Sequence, residues 1–259
     1  MKIGFIGAGR VATHLAQALY SHYSIAQVFS RQYEHAESLA KRINAQAIDD
    51  IYQLRLDLDL VIISVSDHAI QEVVVQLQNM NFQGLVVHTS GSTHLNVLEN
   101  RLERVGVFYP LQTFSFESKV VWKQTPLFIE AKYPKDLNIL NQLAELLSQK
   151  VYQYSSEQRL SLHLAAVFAC NFSNYCYDIS KQILDEKQVD FSLLYPLILE
   201  TAKKATEVTP LDAQTGPAMR GDQNIIHMHQ DMLQQLNRQE HVDVYALLSQ
   251  QILNRHHMK

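Results

Sequence analysis

The first twenty residues constrain the chain most. KIGFIGAGRVATHLAQAL places a short apolar run, Ile3–Ile6, before Gly7 and Gly9, and an amphipathic helical pattern, Val11–Tyr20, after them. Gly7, Gly9 and Ala12 fit the pattern G-x-G-x-x-A. The first glycine of that pattern allows a tight turn out of a strand. The second lets a pyrophosphate approach the backbone, and the small third residue lets the helix pack close to the sheet. The helix N-terminus adds unpaired N–H groups and the positive end of its dipole. The loop Gly7, Gly9, Arg10, Val11 and Ala12 is therefore expected to hold the pyrophosphate of a dinucleotide.

Beyond Tyr20 the alternation of strand and helix repeats. Apolar runs predict strands at Ala26–Phe29, Ala45–Ile48, Leu60–Ser64, Leu85–His88, Gly106–Tyr109, Leu127–Ile129 and Val151–Tyr154. Helical patterns fall between them at Glu34–Ile43, Ile70–Leu77, Leu95–Leu102 and Leu137–Leu147. Strands that are apolar throughout, separated by amphipathic helices, imply βαβ units and a parallel sheet covered on both faces. From Ser155 onward no strand pattern occurs. Leu160–Leu184, Leu193–Thr206, residues 223–236 and Val242–Leu253 read as helices. The expected architecture is an α/β Rossmann-like domain with a parallel sheet, residues 1–154, followed by a smaller all-α domain, residues 155–259.

Composition removes several function classes. Lys and Arg number 22 against 26 Asp and Glu, a formal net charge of −4. That gives no basic footprint for nucleic acid and no polybasic membrane signal. Apolar runs such as Leu60–Ser66 are too short to span a bilayer. MKIGFIGAG runs straight into a strand, so no signal peptide is expected. Cys170 and Cys176 lie in a helical pattern that suits neither a disulfide nor a metal site. A cytoplasmic protein without a metal is the expectation.

The second strand, in IAQVFSRQYEH, ends in Ser30 and Arg31, where NAD-binding proteins carry an acid for the ribose 2′-hydroxyl. An acid would repel a 2′-phosphate. A hydroxyl and a guanidinium would bind one, which predicts NADP. The fourth strand ends in Val65 and Ser66, expected along the adenosine half of the cofactor; Asp67 caps the next helix or lies beside the ligand. The fifth ends in His88, Thr89, Ser90 and Gly91, where Thr89 is expected at the nicotinamide and Ser90 at the substrate. His88 is either an acid–base group or a packed core histidine. In SLHLAAVFACNFSNY, His163 and Asn174 are eleven residues apart on a predicted helix. They share a face but lie about 16 Å apart along its axis. Asn171 falls on the same side. These three are the candidate catalytic residues. Thr215 and Arg220, in TGPAMRGD, are candidates for binding an anionic substrate group, with Asp222 as a helix N-cap.

The stretches GFIGAGRVATHLA, VFSR, VSDHAI, HTSGS, YPLQTF, LHLAAVFACNFSNY and TGPAMRGDQNIIHMH together resemble a bacterial family. Its members join a Rossmann-like NAD(P)-binding domain to an all-helical C-terminal domain. Its kin are pyrroline-5-carboxylate reductase, the deazaflavin-dependent NADP oxidoreductases and the 6-phosphogluconate dehydrogenase-like enzymes. The resemblance implies an oxidoreductase and, from the helical domains of these relatives, a homodimer. Two departures stand out. Tyr109 occupies the place before PLQTF where the family carries His. His163 occupies the place on the long helix where the dehydrogenase relatives carry a catalytic Lys. The expected activity is NADP-dependent reduction of a small carbonyl or imine compound by hydride transfer. The alternatives are a non-catalytic NADP-binding sensor and a homodimeric interaction protein.

Overall fold

A computed structural model of the chain describes residues 1–117 and 119–257. Among them runs one eight-stranded sheet: β1 (Lys2–Ile6), β2 (Ser24–Phe29), β3 (Gln46–Ile48), β4 (Leu60–Ile63), β5 (Leu85–His88), β6 (Val105–Pro110), β7 (Leu127–Ala131) and β8 (Val151–Gln153). The spatial order is β3-β2-β1-β4-β5-β6-β7-β8. Each predicted strand is present. The sheet is not wholly parallel: β6 and β7 pair antiparallel, while β7 and β8 pair parallel again. The reason lies in the connection. A parallel return needs a crossover, usually a helix. The described residues between β6 and β7 hold only one short 3₁₀ turn, Trp122–Gln124.

Strands that read as unbroken apolar runs divide their side chains between two cores. Ile3, Phe5, Leu60, Ile62, Leu85 and Val87 pack in one with α1 (Arg10–Tyr20), α2 (Tyr33–Ile43) and, once the chain has passed α3 (Asp67–Asn79) and α4 (Asn96–Glu99), α5 (Pro134–Leu147). Ile6, Val61, Ile63 and Val86 pack in the other with α3 and Leu98 of α4. This is the period of two of a strand, with both faces covered. Each such buried side chain contributes about 1.5–3 kcal/mol. The helix predicted over 95–102 shrinks to the single turn of α4, with Leu98 and Leu102 buried.

The long helical pattern starts at α6 (Ser156–Ala166), whose first turn carries a reciprocal capping box between Ser155 and Gln158. It passes through a π-helical segment, Val167–Phe172, into α7 (Ser173–Asp185). Four more helices follow: α8 (Tyr195–Glu207), α9 (Pro217–Arg220), α10 (Gln223–Gln235) and α11 (Gln239–His257). Asp222 caps α10, accepting from the Ile225 N–H. The chain forms two compact units, Met1–Ala169 and Cys170–Lys259. Strands give way to helices at Ser155, but α6 still packs with the sheet, because Arg159 is buried and Leu162 lies against the second core. No helix of the described residues is long and apolar enough to cross a membrane.

Candidate functional site

The glycine turn joins β1 to α1. Gly7 has φ +109°, and a Cβ there would lie 2.3 Å from the Ser64 carbonyl oxygen. Its N–H donates to the Phe29 carbonyl at 2.8 Å. Only glycine fits. Gly9 differs. Its φ is −79°, open to any residue, and nothing lies within 4 Å of a Cβ placed there. The space over Gly9 is thus left clear at the first turn of α1, which has no side-chain cap and no acidic residue. Ala12, fully buried, lets α1 lie against the sheet. Arg10 is exposed and Val11 half-buried beside it. An anion over Gly9 would meet free N–H groups and the dipole.

A cavity of about 470 Å³ opens from this turn. Gly7, Gly9, Ser30, Arg31, Val65 and Ser66 are among its lining residues, with His35 and Gln76. It sits where strand order reverses, between β1 and β4. Arg31 is exposed, and Ser30 Oγ accepts from the Gln32 N–H at 3.3 Å. A second cavity, about 530 Å³, adjoins the turn on the α2 side, lined by Arg10, His35, Ser38 and Arg42. Arg10 lies over the Phe116 ring at 5.8 Å. Among the described residues, Arg10, Arg31 and Arg42 have no carboxylate at ion-pair distance. By contrast Arg55, Arg104, Arg159 and Arg238 each have one. Free guanidiniums around an open helix N-terminus, with no acid at the end of β2, fit a dinucleotide bearing a 2′-phosphate.

Further along the sheet edge, Thr89 Oγ1 donates to Ser64 Oγ at 3.1 Å. Ser90 is buried, and its Oγ accepts the N–H groups of Ser92 and Thr93 at 3.1 and 2.9 Å. Its hydroxyl oxygen is thus engaged inside the loop, with Ser92 Oγ 3.5 Å away. Asp67 does not cap α3, whose N-cap is Ser66. It accepts a hydrogen bond from the Ser92 hydroxyl instead. His88 is fully buried; its Nδ1 accepts the Ser90 N–H at 3.2 Å, and Nε2 has no partner among the described residues. Burial, with the Arg159 and His94 charges adding, pushes its pKa down to about 3. His88 is a neutral core residue and no acid–base group near neutral pH.

Arg159, on α6, holds this loop from below. Its guanidinium donates to the carbonyls of Ser90 and Thr93 and to Ser156 Oγ. Its Nη1 lies 3.6 Å from Glu130 Oε2, an ion pair without a hydrogen bond. One turn on, the half-buried His163 reaches Tyr109: Nδ1 is 3.2 Å from the phenol oxygen, and the rings meet edge to face. Both lie against Gly91, where a Cβ would fall 2.4 Å from His163 Nδ1 and 2.8 Å from Tyr109 Cζ. The structure thus joins His163 to the loop of Thr89, Ser90 and Gly91.

The remaining candidates belong to the C-terminal unit. Asn171, in the π-helical segment, and Asn174, in the first turn of α7, are both exposed. Thr215 is exposed, as is Arg220 at the end of α9, with no carboxylate partner among the described residues. The shared face inferred for His163 and Asn174 assumed an unbroken α-helix. The wider turn of Val167–Phe172 breaks that arithmetic. Sequence reasoning passed over Arg159 and Arg42, which carry no motif. It quoted Tyr109 without finding its partner, 54 residues away.

Residues 2–90 match the family described as NADP oxidoreductase, coenzyme F420-dependent. Residues 125–252 match the domain of unknown function DUF2520. No curated protein matches by sequence. Among solved structures, a Bacteroides fragilis protein described as a candidate NADP oxidoreductase is 42% identical, with 98% of each chain covered and a TM-score of 0.90. An imine reductase from Myxococcus stipitatus, in complex with NADP+, is 12% identical over 99% of each chain, with a TM-score of 0.72. A 1-pyrroline-5-carboxylate reductase from Streptococcus pyogenes is 14% identical over 98% of each, with a TM-score of 0.64. The last two show a shared fold. The match along nearly the full length of the first, together with the open glycine turn and the unpaired arginines, places the chain in a family: it belongs to the NADP oxidoreductases that join a coenzyme F420-dependent NADP oxidoreductase domain to a DUF2520 domain.

Proposed function

We propose that the protein is an NADPH-dependent reductase of a small compound with a C=N or C=O bond. The observation that carries this reading is the imidazole of His163, set against Gly91 on the loop that follows β5, on the same sheet edge as the open glycine turn. Ser30 and Arg31 would hold the 2′-phosphate, with Gly7, Gly9, Arg10, Val11 and Ala12 around the pyrophosphate. Val65 and Ser66 would flank the adenosine, and Thr89 the nicotinamide, with Ser90 beside the substrate. When bound, NADPH would supply a hydride to the substrate carbon, and the nitrogen or oxygen that receives the π pair would take a proton from solvent. His163 donates a hydrogen bond to that atom and draws charge onto it. The fold neighbours named for imine and pyrroline-5-carboxylate reduction favour an imine.

The C-terminal unit supplies the rest of the proposal. Arg220 and Thr215 would take an anionic substrate group, Asn171 and Asn174 polar contacts. The sheet region, 1–154, would serve the cofactor and 155–259 substrate binding and dimerisation. Support for a homodimer comes from α8, which has no buried residue although Tyr195, Leu197 and Leu199 are apolar. A helix with apolar residues on more than one side ordinarily lies inside a core or an interface. Two free thiols, Cys170 and Cys176, suit a reducing cytoplasm.

The test is a titration with NADPH and NADH, followed by nicotinamide fluorescence. Wild type should bind NADPH at least tenfold tighter, about 1.4 kcal/mol, and Arg31→Ala should remove that preference. A panel of cyclic imines and small ketones, some with a carboxylate, then tests turnover. His163→Gln should lower kcat by about 10²-fold or more. NADPH binding without turnover of any panel member would move the reading to a sensor. No binding of either nucleotide would overturn it.

A further inference from the structure

We propose that Tyr109 and Gly91 fix the ring and tautomer of His163, the phenol donating to Nδ1 so that the neutral imidazole carries its proton on Nε2. Gly91 sets the position of the ring. A Cβ there would sit 2.4 Å from Nδ1 and 2.7 Å from Cγ of His163, so the Cγ–Nδ1 edge of the ring rests on the glycine backbone. Any other residue would push the ring away. With Cγ and Nδ1 against Gly91 and Nδ1 against the Tyr109 oxygen, Nε2, on the far side of the ring, is the nitrogen left free among the described residues.

A phenol and a neutral imidazole can share a proton in two senses. Tyr109 decides which. It is 8% exposed, and burial pushes its pKa up to about 12, the Arg159 charge opposing and the Asp67 charge adding. It therefore stays a phenol. Its hydroxyl makes no other hydrogen bond among the described residues. A phenol is a better donor than acceptor, so its proton goes to the Nδ1 lone pair. The free nitrogen is then N–H, a donor. A ring locked in this way offers a hydrogen bond to an atom bearing a lone pair and refuses one that must itself donate. A neutral histidine held in one tautomer is a known way to polarise a double bond. Tyr109 is a positioning residue in this scheme. Its catalytic consequence rests on the reductase reading above; the tautomer does not.

The test is therefore made on the tautomer, by 15N NMR of protein labelled at histidine and recorded with the His163 ring neutral. His163→Gln assigns the signals. Wild type should show a pyridine-type shift at Nδ1 and a pyrrole-type shift at Nε2. Tyr109→Phe, which removes one oxygen, should move both shifts toward the averaged values of a ring exchanging between tautomers. If that variant does not fold, Gly91→Ala provides the second arm, since its Cβ must drive Nδ1 off the phenol and produce the same averaging. A proton on Nδ1 in wild type overturns the proposal, as does an unchanged Nε2–H tautomer in the variant. Neither readout uses NADPH or substrate. A His163→Gln enzyme with full turnover would sink the reductase role of His163 and leave the tautomer assignment standing.

Discussion

Burial acts in opposite directions on the pKa values of two groups, one at the end of β5 and one at the end of β6. It keeps Tyr109 a phenol and His88 a neutral imidazole. For His88 the linkage has a sign. Its folded pKa, about 3, lies below the ordinary 6.5, so below pH 6.5 the unfolded chain binds a proton that the folded chain refuses. Stability is then lost on acidification, at up to about 1.4 kcal/mol per pH unit. His88→Asn keeps an acceptor for the Ser90 N–H and removes the titration. Urea unfolding at pH 7 and pH 5 should show wild type losing about 2 kcal/mol that the variant does not; equal losses would mean that His88 is not the acid-sensitive group. Arg159 acts through its charge and its hydrogen bonds. Arg159→Met restores volume but strips the Ser90 and Thr93 carbonyls of a donor and Glu130 of its cation. It should cost about 3–5 kcal/mol in the same assay.

The glycine turn separates folding from binding within one element. Gly7→Ala places a Cβ against the Ser64 backbone at a positive φ and should cost more than about 1 kcal/mol in unfolding experiments, with or without ligand. Gly9→Ala meets no atom of the chain and should leave the melting temperature of the free protein unchanged. It should weaken NADPH tenfold or more by fluorescence titration, because the methyl occupies the space kept over α1. The sequence announced this turn because a strand, two glycines and a helix stand together within twenty residues. It announced the eight strands because a strand buried on both faces, such as Leu60–Ile63, must be apolar at every position. Apolarity carries no direction, and so the antiparallel β7 could only be inferred from the missing helix before it. The π-helical turn at Val167–Phe172 was illegible for a related reason: VFACNF has nothing that a plain α-helix would reject. His163 was found by its odd place among apolar neighbours. Its partner Tyr109 and the support from Arg159 are long-range contacts, which no local pattern encodes.

At the scale of the molecule, the sheet unit encloses two cores while the C-terminal unit encloses little. Ala218, Ile226, Leu233, His241 and Val242 are buried there, but Leu193 and Leu199 are 71% and 70% exposed. A second copy that covered such side chains would bury roughly the 1,200–2,000 Å² typical of a stable interface. Sedimentation equilibrium should return twice the chain mass of 29.7 kDa, and Leu199→Lys should shift the balance toward the single chain. The melting temperature should also rise with protein concentration, as it does when association contributes to folding. The three arginines left without carboxylates around the glycine turn have a consequence of their own. A polyanion that settles among them binds the folded chain and not the unfolded one. At about a hundred times its dissociation constant, such a ligand adds about 2.7 kcal/mol to stability. Resistance to proteases would then follow the supply of NADP(H), so a cell short of that nucleotide would clear the protein faster than one replete with it.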